Sequence, residues 1–133
     1  MRCLRVTIHF EQLPGLTATV DDVVYDPSLS APPDKPHPFV YYITIDNKSE
    51  ETVTIFGRKW VIRDSGGLVQ VVEGDGVVGK FPRLEPGRHF KYNSYMQVSS
   101  ESRVHGAFFG ATQSGRAVCV QVPEFGMEPP MLA

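Results

Sequence analysis

The sequence predicts an all-β domain, a sandwich or a barrel of short strands, from three observations. Apolar residues recur with a period of two along most of the chain, the spacing that places alternate side chains on one face of a strand. No window sustains an apolar stripe at helical spacing. Eleven prolines and twelve glycines in 133 residues also punctuate the chain too often for long helices, while clusters of turn residues separate the alternating runs.

The elements follow in chain order. Leu4, Val6, Ile8 and Phe10 alternate with Arg5, Thr7 and His9, which marks Leu4–Phe10 as a candidate edge strand. A second strand is expected over Leu16–Tyr25. The segment from Pro27 to Pro38 carries five prolines at 27, 32, 33, 36 and 38, so it is expected to run extended over the surface, because fixed φ and missing amide donors oppose a helix. Phe39, Tyr41, Ile43 and Ile45 alternate with Val40, Tyr42 and Thr44. Further strands are expected at Val53–Asp64, Leu68–Glu73, around Phe90 and Tyr92, at Arg103–Ala111 and around Val118–Val122. Turn clusters lie between them: Asp46-Asn47-Lys48-Ser49, Asp64-Ser65-Gly66-Gly67, Glu85-Pro86-Gly87 and Gln113-Ser114-Gly115. The second of these reads as a hairpin.

The strand Val53–Asp64 switches parity. Val53 and Ile55 share one face, whereas Phe56, Trp60 and Ile62 share the other, with Gly57 beside the switch. A β-bulge near Phe56-Gly57 would bring both halves onto one core, since a single extra residue flips every later side chain. Trp60 then faces inward as a large anchor of the core. Arg58 shares its parity; the rim of the sheet is the favoured place for it, and pairing with a carboxylate or carbonyl is the alternative.

Between Glu73 and Pro82 the chain spells GxGxxG through Gly74, Gly76 and Gly79. In a dinucleotide-binding unit these glycines open a helix whose N-terminus holds pyrophosphate. Pro82 and Pro86 forbid that helix here, so the segment is a glycine loop between strands. Two readings remain. The glycines serve tight turns, or the amides of Gly74, Gly76, Val77, Val78, Gly79 and Lys80 form an anion-binding nest, with Lys80 and Arg83 adding positive charge against Glu73 and Asp75.

Thirteen basic and fifteen acidic residues leave a formal charge of −2, which removes the footprint of a general nucleic-acid binder. No run of apolar residues approaches a membrane span, and the first residues lack the apolar core of a signal peptide. Cys3 and Cys119 fit neither a redox pair nor a zinc spacing. His9, His37, His89 and His105 are scattered, and Ser94, Ser99, Ser100 and Ser102 lack a nucleophile-elbow context. Neither a catalytic set nor a cofactor or metal site is expected. Asp21, Asp22 and Asp26 read as a solvated acidic stretch. The neighbouring pairs Tyr41-Tyr42 and Phe108-Phe109 must point to opposite faces, so one sheet's outer surface is a candidate interaction patch.

The words Thr52 to Asp64 (TVTIFGRKWVIRD), Glu73 to Gly79 (EGDGVVG), Pro86-Gly87, Phe90 to Ser94 (FKYNS), Gly106-Ala107-Phe108 and Val122 to Phe125 (VPEF), in this order and spacing, resemble the successive signatures of the ApaG family. The resemblance runs from about Leu16 to Met127. It implies an immunoglobulin-like or fibronectin type III-like β-sandwich of two antiparallel sheets over 16–127, with 1–15 as an N-terminal extension and 128–133 as a flexible tail. Lys59 stands where the family often has histidine, and Lys80-Phe81 where acidic or amide residues usually precede the proline; the second change adds positive charge beside the loop. The resemblance further implies a bacterial, cytoplasmic protein linked to cobalt and magnesium homeostasis and to dinucleoside polyphosphates. The expected role is non-catalytic binding to a protein partner by a monomer or weak homodimer. The alternative is a sensor that binds pyrophosphate, a nucleotide or a dinucleoside polyphosphate at the glycine loop.

Overall fold

A computed structural model describes residues 9–131. Among them are the strands β1 (Glu11–Gln12), β2 (Leu16–Tyr25), β3 (His37–Asn47), β4 (Val53–Asp64), β5 (Val69–Asp75), β6 (Arg83–Leu84), β7 (His89–Val98), β8 (Ser102–Thr112) and β9 (Ala117–Met127), and no α-helix. The larger sheet has the order β1-β9-β8-β4-β5, with β6 also paired to β4; the smaller is β2-β3-β7. The two sheets face each other as an immunoglobulin-like sandwich. Every pairing is antiparallel except the short parallel match of β1 to β9. Most of the expected strand Leu4–Phe10 lies outside the described residues, and His9 and Phe10 carry no strand.

Alternation drives the packing. Tyr41, Ile43 and Ile45 of β3, Val104 and Phe108 of β8, and Val118, Val120 and Val122 of β9 are buried between the sheets. Tyr42 and Phe109 point away, as neighbours in a pleated strand must. The Asp64–Gly67 hairpin joins β4 to β5, with the Gly67 amide donating to the Asp64 carbonyl at 3.0 Å. In the turn after β3, the fully buried Asn47 donates from Nδ2 to the carbonyls of Glu51 and Leu84, while its Oδ1 accepts from Ser49. That leaves no amide atom of Asn47 unpaired, which burial demands. In β9, Pro123 sits where two residues oppose His105 alone, a bulge that tolerates the missing donor.

The parity switch in β4 is a bulge. Ile55 faces Gly110 and Gly57 faces Phe109, which leaves Phe56 as the extra residue. Beyond it Trp60 is 2% and Ile62 6% exposed. Phe56 itself corrects the expectation: the unpaired residue of the bulge turns outward and is 40% exposed.

Candidate functional site

The glycine loop is built from backbone bonds. The Gly76 amide donates to the Phe56 carbonyl at 2.7 Å, and Val77 and Lys80 exchange both of their backbone bonds at 2.8 and 2.9 Å. Val77 is fully buried and pins the loop to the core. Val78 and Gly79 form a two-residue turn with φ of 45° and 77°, the mirror-image geometry that matches strand twist and favours Asn-Gly. No helix follows; the chain passes Pro82 into β6.

The loop gathers the residues singled out from sequence, with different roles. Gly74 belongs to β5, and a Cβ there would stand 2.6 Å from the guanidinium carbon of Arg58. Gly76 adopts φ of 64°, and its Cβ would meet the Lys80 carbonyl oxygen at 2.5 Å. The amides of Gly76, Val77 and Lys80 are taken by the bonds above, whereas those of Val78 and Gly79 make no backbone bond among the described residues. Lys80 is exposed. Glu73 lies 3.5 Å from the Lys59 ammonium.

Val78 is an outlier, because a β-branched residue at positive φ crowds its own carbonyl. Its side chain is 46% exposed. Replacing it with asparagine would create the favoured Asn-Gly turn, and Val78→Asn is expected to stabilise the fold by about 1 kcal/mol. Urea unfolding checks this, and a lowered midpoint would show that the exposed valine makes compensating contacts.

Arg58 links the loop to the space between the sheets. Sequence reasoning favoured the rim; instead Nη1 of the half-buried side chain donates to the carbonyls of Asp75 at 2.8 Å and Gly76 at 3.2 Å. The β4–β5 register puts Arg58 opposite Gly74, Trp60 opposite Val72 and Ile62 opposite Gln70. These residues face Tyr92, Ser94 and Met96, the inward residues of β7. Between β5 and β7 lies a slot of about 240 Å³, lined by Arg58, Lys35, Tyr41, Trp60, Val72 and Ser94 among others. Lys35 comes from the proline-rich connection and donates to Gln70 Oε1 at 2.8 Å. No motif in the sequence announces this slot, because it depends on how two separate sheets face each other.

Burial raises the Tyr41 phenol above its ordinary pKa, opposed by a hydrogen bond with Ser94, by the charge of Arg58 and by a hydrogen bond with Trp60. Burial raises Tyr92 further, with Tyr41 adding to the shift and Arg58 opposing it. Both phenols are therefore neutral donors at physiological pH. Among the described residues, the buried Tyr92 hydroxyl has no hydrogen-bond partner.

The remaining candidates stay apart. His37 lies 3.4 Å from the Tyr25 hydroxyl, while His9, His89 and His105 are exposed at separate places. Cys119 is half-buried near the Phe10 carbonyl. Among the described residues, no three His, Cys, Asp or Glu side chains gather as a metal-binding group, and no helix is long and apolar enough to cross a membrane.

Fold and loop together define an immunoglobulin-like β-sandwich with a glycine loop at one end of its larger sheet. A model of the ApaG domain matches residues 27–111. The chain is 39% identical to Protein ApaG of Bdellovibrio bacteriovorus over 110 residues, 82% of this chain and 87% of that one. It is 37% identical to Protein ApaG of Acidithiobacillus ferrooxidans over 102 residues, 76% and 80% of the two chains. The crystal structure of a putative ApaA protein from Bordetella pertussis superposes with a TM-score of 0.79 at 29% identity, covering 92% of this chain and 99% of that one. The chain belongs to the ApaG family. The names of these relatives state no reaction.

Proposed function

We propose that this chain is a non-catalytic protein-interaction module of the cytoplasm, and that the outer strand β5 receives an extended apolar segment of a protein partner. One observation carries the reading. Of the ten exposed large apolar side chains among the described residues, six (Phe56, Leu68, Val69, Val71, Val78 and Phe81) lie on β4, β5, the hairpin between them or the glycine loop, with Leu68 76% and Phe81 58% exposed, while Val24, Tyr42 and Tyr95 lie on the smaller sheet and Met131 beyond β9. Such clustering marks interaction surfaces, whereas scattered apolar residues do not.

The backbone supports the same reading. Among the described residues, no strand pairs with the far side of β5. The Asp64 amide donates to the Leu68 carbonyl, so the antiparallel alternation turns the N–H and C=O groups of Val69, Val71 and Glu73 toward the open edge. An added strand would take these bonds while its side chains meet Val69 and Val71. A photo-crosslinking residue at position 71 is expected to give a discrete adduct with another protein in cells, and the same residue at exposed Thr19 on the other sheet is not. Val69→Lys, a surface change expected to move stability by under ~0.5 kcal/mol, should suppress the adduct by blocking the edge. Equal labelling from both positions, or none, would remove the reading; an adduct of twice the chain's mass would replace the partner with a second copy.

A second reading is a sensor for pyrophosphate, nucleotides or dinucleoside polyphosphates at the glycine loop. The amides of Val78 and Gly79, unpaired among the described residues, and exposed Lys80 beside them favour it, as a small anion nest would need. The amides already bonded within the loop leave it a shallow one. Amide shifts confined to 76–80 on adding pyrophosphate, weakened by salt and by Lys80→Ala, would support this reading, and their absence would dismiss it.

A further inference from the structure

We infer that the segment received by β5 runs antiparallel to it and is recognised through two inward side chains, a large apolar residue opposite Val72 and, four positions later, a lysine or arginine opposite Leu68. This names the chemistry of the partner and rests on the edge-docking reading. Three features of the open side of the sandwich lead to it.

The first is a groove beneath the edge of β5. The slot of about 240 Å³ continues toward the Asp64–Gly67 hairpin into a second cleft of about 430 Å³, the two sharing Lys35, Ile62, Gln70 and Gln97 in their walls. Trp60 and Ile62 are buried at its depth, while exposed Gln70 and Tyr95 stand at its mouth. The groove therefore follows the inner face of β5. A strand added to β5 lies about 4.8 Å beyond it, and its side chains opposite Leu68, Gln70 and Val72 turn to that same inner face. They would enter the groove.

The second feature is the change of polarity along the groove. At the slot, Ile62, Val72 and Met96 give apolar walls, and the charged side chains there, Lys35 and Arg58, are both cations. That end suits an apolar side chain and repels a basic one. The cleft by the hairpin is lined instead by Asp34 and Asp64, and neither carboxylate makes an ion pair among the described residues. Asp64 Oδ1 accepts from the amides of Gly66 and Leu68, whereas Oδ2 has one long contact, from Ser99 Oγ at 3.4 Å. A cation complements this end. Lys35, which donates to Gln70 at 2.8 Å, stands between the two ends and opposes a cation opposite Gln70, so the basic residue falls opposite Leu68.

The third feature is direction. The long strands of both sheets pair antiparallel, and a parallel addition is slightly less stable per residue. Running against β5, the partner meets Val72 before Leu68, so its apolar residue precedes its cation by four positions. A second copy does not fit this code. Its β5 reads VQVVEGD, which holds no lysine or arginine to offer to Asp34 and Asp64.

A display library of random peptides panned on the immobilised full chain is expected to enrich sequences in which Phe, Leu, Ile or Met is followed four residues later by Lys or Arg. A synthetic peptide of the enriched sequence, added to the ¹⁵N-labelled chain, should shift the indole N–H resonance of Trp60, the only tryptophan and a residue of the slot. Serine in place of the peptide's apolar residue should abolish that shift and weaken binding roughly ten-fold or more. Asp34→Lys, at an exposed position, should weaken binding several-fold and remove the preference for Lys or Arg. Val69→Lys should remove binding altogether by blocking the edge. Peptides that Val69→Lys abolishes but that show no preference at the two inward positions, carry the cation before the apolar residue, or leave the indole resonance in place would overturn this inference while edge docking stands. No enrichment, or peptides indifferent to Val69→Lys, would overturn both.

Discussion

Trp60→Ala is expected to destabilise the protein by about 3–5 kcal/mol, the range for truncating a large buried aromatic. The indole is 2% exposed and meets Tyr41 of the smaller sheet at a centroid distance of 5.3 Å, and Phe108 and Phe125 of the larger sheet at 6.0 Å each, all edge-on. Its removal opens a cavity where both sheets converge, which the rigid pleats around it can only partly close. Domains of this size commonly hold only about 5–15 kcal/mol in total, so the variant should be marginal. Trp60→Phe separates two contributions. It keeps most of the apolar contact and deletes only the indole N–H, so its loss should stay below about 1.5 kcal/mol. Urea unfolding followed by circular dichroism measures both, since fluorescence is lost with the residue. Unfolding midpoints that both variants leave unchanged would take β4 out of the core.

The strands were legible because most of them are half-buried, and burial on one face writes an alternating pattern into the sequence. The parity switch in Val53–Asp64 reported the bulge for the same reason. It could not say which residue would be extra, and Phe56 turns out to be the unpaired one. β6 escaped notice because two residues, Arg83 and Leu84, carry no period. β7 runs on to Val98, past Asn93 where its alternation of large apolar residues weakens: Ser94 occupies an inward place beside the slot. The continuation of β9 through Pro123 depends on a bulge that proline alone does not announce.

The site was less legible. Gly74, Gly76 and Gly79 stood out as a motif, yet each answers a different steric demand: room for the Arg58 guanidinium, a close approach to the Lys80 carbonyl, and positive φ in a tight turn. The spelling resembles a phosphate fingerprint only in sequence. Arg58 was awkward at an inward position because its partners are main-chain carbonyls of the loop, and carbonyls leave no mark on composition. The slot depends on β5 and β7 lying across from each other in different sheets, a relation between residues about twenty apart with no local signal.

Gly106→Ala is expected to destabilise by about 3 kcal/mol or more, at the upper end of what overpacking a core produces. Gly106 pairs with Trp60 across the β4–β8 ladder, and both face the interior. A Cβ built on Gly106 would fall 2.5 Å from Trp60 Cε3 and 2.9 Å from Cζ3, and it would also strike the Lys59 carbonyl oxygen. The indole could relieve the first clash only by leaving its place among Tyr41, Phe108 and Phe125. The carbonyl can relieve the second only by moving the strand itself. The effect is one of space: the φ of Gly106 is not positive, and alanine would suit the backbone. A double-mutant cycle with Trp60→Leu tests the cause. With the ring gone, Gly106→Ala should cost less than in the native background, because one of its two clashes has been removed, while the carbonyl keeps the remainder above zero. Strict additivity would mean that the indole does not lie on Gly106, and a change under ~0.5 kcal/mol in the single variant would disprove the register that joins β4 to β8.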